Sequence, residues 1–420
     1  MKIVLINTSD SGGGAAIACK RLKDALKKEG ADVNMLVACK TTEDNDTIQV
    51  ISPLRYKLNF ILERLQIYCA NRFSKKNLFA ISTASTGCDI SSFPEIKKAD
   101  ILHLHWVNQG FLSLNDIQKL ISLGKPVVIT LHDMWYCTAI CHHACGCKQF
   151  TTGCQKCFYL KTPGTHDLSA ITWNKKIFLK NAGITFVPVS NWLNEKVKTS
   201  GLTGSSFSTV IPNTLDTTVF YPKNREEYRK KAMISDERMV IVFGAAKLND
   251  PNKGFDLLKQ ALKILYEKYG KRLLLILFGK IKNDPDFLNY IPCEYRYMGK
   301  ISEANELAAL YSAADVTVVP SHYETFGQTL IESMACGTPG VSFDNSGQND
   351  VIEHLHTGYL ATYPSPESLA EGIDWGFQQK GNLTIKENCI ERVRHMYHSR
   401  TVARQYLELY NRLLTPKNKD

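Results

Sequence analysis

Apolar residues follow two spacings along the chain: short unbroken runs, and longer stretches in which they recur every third or fourth position. The first run, Ile3 to Ile6, leads into Gly12-Gly13-Gly14. Ala15 to Glu29 is rich in helix formers, and Gly30 fits a helix stop. Asp32 to Val37 then resumes an extended pattern. Strand, glycine loop, helix and strand form a βαβ opening, which predicts parallel pairing with helices on the sheet faces. Ile101 to Trp106, Pro126 to Leu131 and Ile184 to Val189 continue the series. A connector from Ile211-Pro212-Asn213 through Tyr221-Pro222 separates it from a second one: Met239 to Phe243, Arg272 to Phe278, Val316 to Pro320 and Gly340 to Phe343. The pattern predicts an α/β fold of two Rossmann-like doubly wound domains, residues 1–212 and 213–400, facing a central cleft. From about Thr384 to Leu414 the pattern is wholly helical, and 401–420 is expected to pack back toward the N-terminal domain.

The segment Pro53 to Asn77 differs. Leu54, Leu58, Ile61, Leu62, Leu65 and Tyr68 recur at helical spacing, among Arg55, Lys57, Arg64, Arg72, Lys75 and Lys76. Such a helix can lie on an anionic bilayer. It can equally be a surface helix that packs its apolar stripe onto the first sheet.

Composition adds limits. At 420 residues, 44% hydrophobic and 22% charged, the chain is ordinary globular protein with room for two cores. No stretch approaches the roughly 20 apolar residues of a membrane-spanning helix. Met1 to Asn7 turns polar too soon for a signal peptide, so a cytoplasmic protein is expected, with peripheral membrane contact through 53–77 as an open option. The net charge of +10 favours an acidic partner, a phosphorylated ligand or an anionic membrane face, and no nucleic acid is expected.

The most informative stretch is Pro320-Ser321-His322-Tyr323-Glu324-Thr325-Phe326-Gly327-Gln328-Thr329-Leu330-Ile331-Glu332. It follows a buried strand and opens a helix. A helix N-terminus at Gly327 offers unpaired N–H groups and a positive dipole end, suited to a diphosphate. Glu332 lies about five residues in, roughly 7 Å along the axis at ~1.5 Å per residue. Glu324 and Glu332 thus flank the helix end, one placed for a sugar and one for a ribose.

Glu-x7-Glu after a strand, followed by Ala335-Cys336-Gly337-Thr338-Pro339, resembles family 4 retaining glycosyltransferases of GT-B fold. Gly299, the helical stretch Leu307 to Asp315, Asp350-Val351-Ile352 before Gly358 and the connector Ile211 to Asp216 agree, although Thr214 stands where Gly is usual. The resemblance implies transfer of a sugar from a UDP- or GDP-linked donor with retention of configuration, and no cofactor required for catalysis. Glu324 is implied to contact the donor sugar and Glu332 the ribose. Amides from Thr325 and Phe326 through Gly327, Gln328 and Thr329 to Leu330 are implied to meet the phosphates. Lys253, in Asn252-Lys253-Gly254, matches the family's phosphate-binding lysine. Where the family commonly has an arginine, this chain has Gly244-Ala245-Ala246-Lys247; Lys247 would bind phosphate as a point charge, not a fork.

In the N-terminal half, His132 of Leu131-His132-Asp133-Met134-Trp135 matches the family's histidine near donor sugar and acceptor. Domain closure about the 212–224 connector would bring it over the donor. His103 and His105 share a strand face and read as structural or acceptor-side. Gly13 and Gly14, with Gly12, would approach the donor phosphates or acceptor.

Of 13 cysteines, six fall between Cys137 and Cys157. Cys141, Cys147, Cys154 and Cys157 resemble an insertion in a subset of these transferases and suit a closed tetrahedral Zn2+ site. Cys137, Cys145, His142 and His143 are spare ligands, and an Fe–S cluster or plain buried cysteines remain open. The functional expectation is extension of a glycan or lipid-linked oligosaccharide acceptor in surface polysaccharide synthesis. The alternatives are a nucleotide-sugar epimerase or phosphorylase on the same scaffold, and a non-catalytic zinc-bearing membrane adaptor. The glycine triplet lacks the G-x-G-x-x-G spacing of a dinucleotide-binding dehydrogenase.

Overall fold

The computed structural model describes residues 1–415. The chain divides into two compact units, one formed by residues 1–212 with the segment from Val402 onward, the other by Asn213–Thr401. In the first unit, strands β1 (Lys2–Ser9), β2 (Asp32–Cys39), β3 (Thr47–Gln49), β4 (Ile101–Leu104), β5 (Val127–Leu131) and β6 (Thr185–Pro188) make one sheet in the order β3-β2-β1-β4-β5-β6. In the second, β7 (Met239–Lys247), β8 (Leu273–Lys280), β9 (Glu294–Tyr297), β10 (Val316–Val319), β11 (Gly340–Phe343) and β12 (Gly358–Ala361) run β12-β11-β10-β7-β8-β9. All neighbours pair in parallel. Counted from its other edge the second sheet repeats the order of the first. Each has its switch point beside its first strand, where a doubly wound sheet opens a crevice at the strand C-termini.

Burial explains the order. Ile3 to Ile6 of β1 are fully buried, and the helix Gly14–Lys28 turns Ala16, Cys19, Leu22 and Leu26 onto the sheet. In the second unit Leu258, Leu262 and Leu265 of the helix Phe255–Tyr269 pack with Leu273, Leu275 and Leu277 of β8. The four outer strands β3, β6, β9 and β12 are short. Glu294-Tyr295-Arg296-Tyr297 carries charge because an edge strand needs no continuous apolar run.

Two expectations change. The stretch Thr384 to Leu414 is helical but for one break: Leu383–Met396 ends, and Ser399–Leu414 begins, around Tyr397 and His398. The Tyr397 carbonyl there accepts the Leu215 amide at 2.7 Å and the Thr214 hydroxyl at 3.3 Å, a bond to the connector in place of a helical one. Along the last helix Val402, Ala403, Tyr406, Leu409 and Tyr410 join the core of the first sheet. Residues 416–420 of this segment lie outside the described residues.

The helix Pro53–Ala70 does not pack its apolar stripe onto the sheet. It is started by Ser52, whose hydroxyl accepts the Arg55 amide, with Pro53 in its first turn. Its inward residues include polar ones. Asn59 donates to the carbonyls of Gly87 and Gly110 at 3.0 and 3.1 Å, Glu63 accepts the amides of Thr83 and Ala84 at 2.8 and 3.0 Å, and Arg64 donates to the carbonyls of Leu78 and Ile81. Leu54, Leu58, Ile61, Leu62 and Leu65 are exposed.

Candidate functional site

In the second unit β10 ends at Val319, and the chain turns through residues 320–327 before the helix Gln328–Ala335. Gly327 has φ 104°, a conformation open to glycine at little cost, and it brings no side chain to cap the helix. Leu330 is engaged differently from an anion-facing amide: its N–H donates to the Gly327 carbonyl at 3.0 Å and its side chain is fully buried beneath the turn. Phe326 is buried edge-on against Tyr397, centroids 5.4 Å apart. Thr325, Gln328 and Thr329 are half-buried around Gly327.

Glu324 is held from three sides. Its amide donates to Ser346 Oγ at 3.0 Å, and its carbonyl accepts the Gly347 amide at 2.7 Å. Its carboxylate Oε2 lies 2.8 Å from Lys253 Nζ and 3.3 Å from Ser321 Oγ. Lys253 ends the turn Pro251–Lys253, which Asn252 fastens to the loop by donating Nδ2 to the Tyr323 carbonyl at 2.7 Å and accepting the Tyr323 amide at 3.1 Å. Gly254 lets the two segments meet: at φ 65°, a Cβ there would stand 1.9 Å from the Pro320 carbonyl oxygen. Burial works against the Lys253 charge, but the Glu324 carboxylate outweighs it, and with Asp250 lifts the ammonium above its ordinary pKa. The lysine stays charged at any physiological pH. Glu332, in the second turn of the helix, is buried and accepts a hydrogen bond from Tyr311 OH at 3.2 Å. Lys247 ends β7 exposed.

In the first unit His132 follows β5 directly. Its Nε2 lies 2.9 Å from His105 Nδ1, with the rings stacked 5.2 Å apart. His103 lies behind, bonded to Tyr410 OH at 2.6 Å and Thr130 Oγ1 at 2.7 Å. Burial lowers all three pKa values, His132 to about 4, His103 to about 3 and His105 well below the ordinary value. These imidazoles are neutral at pH 7, so His132 can position a group but is no proton source there. Gly13 precedes the helix Gly14–Lys28 without a side chain to cap it, and among the described residues a Cβ on Gly12 or Gly13 would meet nothing within 4 Å.

The cysteine loop behaves otherwise. Cys141, Cys147, Cys154 and Cys157 line one cavity. Among the described residues, however, no three His, Cys, Asp or Glu side chains are grouped so as to hold a metal ion. Cys141 is fixed at the head of the loop by a bridge to Ile81, whereas the other three are half-buried further along it. Burial raises the thiols of Cys154 and Cys157 to about 11 and that of Cys141 further. Both ring nitrogens of His142 are engaged: Nδ1 binds Asp133 Oδ2 at 2.6 Å and Nε2 meets Ser82 Oγ at 3.1 Å. Cys137 is buried near Thr203 Oγ1 at 3.8 Å, and Cys145 is exposed, 3.2 Å from Tyr159 OH.

Asp133 is the residue the motif reading passed over. It accepts Trp106 Nε1 at 2.9 Å and the Trp135 amide at 2.8 Å as well as His142. Burial opposes its charge, yet His142 and the Trp135 amide hold its pKa at about 2. Asn252, Ser346, Gly347 and Tyr311 were missed too. Of these only Asn252, in Asp250-Pro251-Asn252-Lys253, has a local turn signal; the others meet the site from remote sequence.

Two Rossmann-like domains with six parallel strands each place the chain in the GT-B class of fold. Residues 224–396 match the family model described as glycosyl transferases group 1. The chain is 24% identical to D-inositol 3-phosphate glycosyltransferase of Corynebacterium glutamicum over 433 residues, covering 98% of this chain and 94% of that protein. Matches at 28% identity to glycosyltransferases of Bacillus subtilis and Methanocaldococcus jannaschii cover 50% and 45% of those proteins, so the chain spans about half the length of these relatives. Its fold is that of sucrose-phosphate synthase from Thermosynechococcus elongatus, with TM-score 0.67, 20% identity and coverage of 98% of this chain and 99% of that one. Anabaena HepE, solved with UDP and glucose, matches with TM-score 0.65, 16% identity and coverage of 98% and 99%.

Proposed function

We propose that this chain is a retaining glycosyltransferase that moves a sugar from a nucleoside-diphosphate-sugar, UDP- or GDP-linked, to a glycan or lipid-linked oligosaccharide in surface polysaccharide synthesis. The observation that carries the reading is the Lys253–Glu324 pair beside the helix N-terminus at Gly327. When the bond between the anomeric carbon and the diphosphate breaks, its electron pair stays on the diphosphate oxygen. The Lys253 ammonium and the positive end of the helix dipole are the groups that would compensate that charge. Glu324 then serves the sugar hydroxyls, Glu332 the ribose, and Thr325 through Thr329 the phosphates. Lys247 is a second cation for the diphosphate. In the first unit, neutral His132 is a hydrogen-bonding group for the sugar substrates, and Gly13 and Gly14 leave room for ligand beside a helix end. The UDP-glucose complex of the HepE fold relative supports a UDP-linked donor.

The test is a thermal-shift screen against UDP, GDP, ADP and their sugar conjugates. A ligand at one hundred times its dissociation constant adds about 2.7 kcal/mol of stability. A selective shift, lost in Glu332→Ala, is expected; no shift with any of them would reject the reading. Proton NMR of the product, with the anomeric coupling of the donor kept, checks retention.

A further inference from the structure

The helix Pro53–Ala70 turns Asn59, Glu63 and Arg64 inward beside Ile67 and leaves most of its leucines outward. Asn59, Glu63 and Arg64 are tied to loop carbonyls and amides, while Leu54 is 79% exposed, Leu58 53%, Leu62 44% and Leu65 52%. The segment that follows continues the surface, with Phe73 at 69% and Phe79 at 62% exposed. An apolar face of this extent is unusual on a monomer unless something covers it. Its surroundings indicate what does. Arg55, Lys57, Arg72, Lys75 and Lys76 are exposed among these residues, and Glu63, the sole acidic side chain from 53 to 80, is buried against Arg64. The cysteine loop adjoins it: Asn77 Nδ2 donates to the Tyr159 carbonyl at 3.1 Å and the Lys161 amide to Asn71 Oδ1. Phe158 and Lys161 beside these bonds are exposed as well. No helix among the described residues is long and apolar enough to cross a membrane, so this one would lie along a surface.

We propose that residues 53–79 dock the first unit on an anionic lipid bilayer, with the leucines and Phe73 and Phe79 entering the acyl boundary and the lysines and arginines meeting the phosphate headgroups. A second copy of the chain is disfavoured as occupant because two such faces would bring like charges together. The leucines hold no core together here, so they can be changed without unfolding the unit.

The experiment is co-sedimentation of the full chain with vesicles of phosphatidylcholine containing about one third phosphatidylglycerol, against pure phosphatidylcholine, in about 0.1 M salt. The wild type is expected to sediment with the anionic vesicles only. A Leu58→Ser, Leu62→Ser, Leu65→Ser variant should bind at least about 100-fold more weakly. An Arg72→Gln, Lys75→Gln, Lys76→Gln variant should lose about tenfold or more, and salt should weaken the wild type more steeply than this variant, which keeps Arg55 and Lys57. Wild-type protein left in the supernatant, or serine variants binding undiminished, would overturn the proposal. So would light scattering that finds a dimer without vesicles, abolished by the serines, which would give the face to a second copy. Binding is the readout, so this result stands apart from the transferase reading.

Discussion

Lys253 Nζ lies 2.8 Å from Glu324 Oε2, so the two charges proposed to serve a donor hold each other. Removing either therefore leaves the other in a half-buried place without its partner. Glu324→Gln is expected to lower kcat by about 100-fold or more while nucleotide affinity changes little, because the lost interaction is with the reacting sugar. Lys253→Ala should lower both kcat and the thermal shift with a nucleoside diphosphate. Steady-state kinetics with calorimetric titration separates the two; the reverse pattern would exchange the roles.

Glu332 is buried and bonded by Tyr311 OH at 3.2 Å. Glu332→Ala should chiefly weaken nucleotide binding. Tyr311→Phe, which removes one orienting hydroxyl, should weaken it by about tenfold or less. A calorimetric titration with UDP or GDP reads both, and unchanged affinity in Glu332→Ala would remove this residue from the donor site.

Gly347 stands where a Cβ would come within 2.1 Å of the Thr325 carbonyl oxygen. Gly347→Ala must push the 324–327 turn away from the turn Gly347–Asp350. The expected result is a folded protein, by circular dichroism, with a nucleotide thermal shift cut at least about tenfold in apparent affinity and stability lowered by about 1–3 kcal/mol.

The buried histidines make stability depend on pH. His132 and His103 are depressed to about 4 and 3 in the folded chain, mainly by burial, against an ordinary 6.5. Below 6.5 the unfolded chain binds protons that the folded one refuses. Their contribution is therefore whole above pH 6.5 and is lost as the pH falls toward 4 and then 3, by up to about tenfold in the folding constant per unit and per histidine. Urea melts at pH 7.5, 6 and 5 (the last two roughly within the window) check this. A midpoint flat down to pH 5 would contradict neutral burial.

How far these features could be read in the sequence depended on whether the signal was local. The strands Ile3–Ile6, Val127–Leu131 and Gly340–Phe343 announced themselves because buried parallel strands are continuous apolar runs. The turn into the helix at Gln328 was equally legible, since strand, Glu324, glycine and helix follow one another. Glu294–Tyr297 was not, because an edge strand pairs on one side and tolerates charge. The inverted packing of Pro53–Ala70 was also hidden: periodicity shows that a helix has two faces but not which one turns inward. That choice was made by distant carbonyls at Leu78, Ile81, Gly87 and Gly110, which bind Asn59 and Arg64.

Those same bonds separate two demands that a helix ordinarily has to reconcile. Where apolar residues both anchor a helix and meet its target, a substitution that retunes the target contact also loosens the fold. Here orientation is fixed by amide, carboxylate and guanidinium groups together with buried Ile67, and the leucines on the other side carry none of that task. The outward face is free to drift toward a different surface, a different lipid mixture or plain solubility, through single substitutions that leave the scaffold intact.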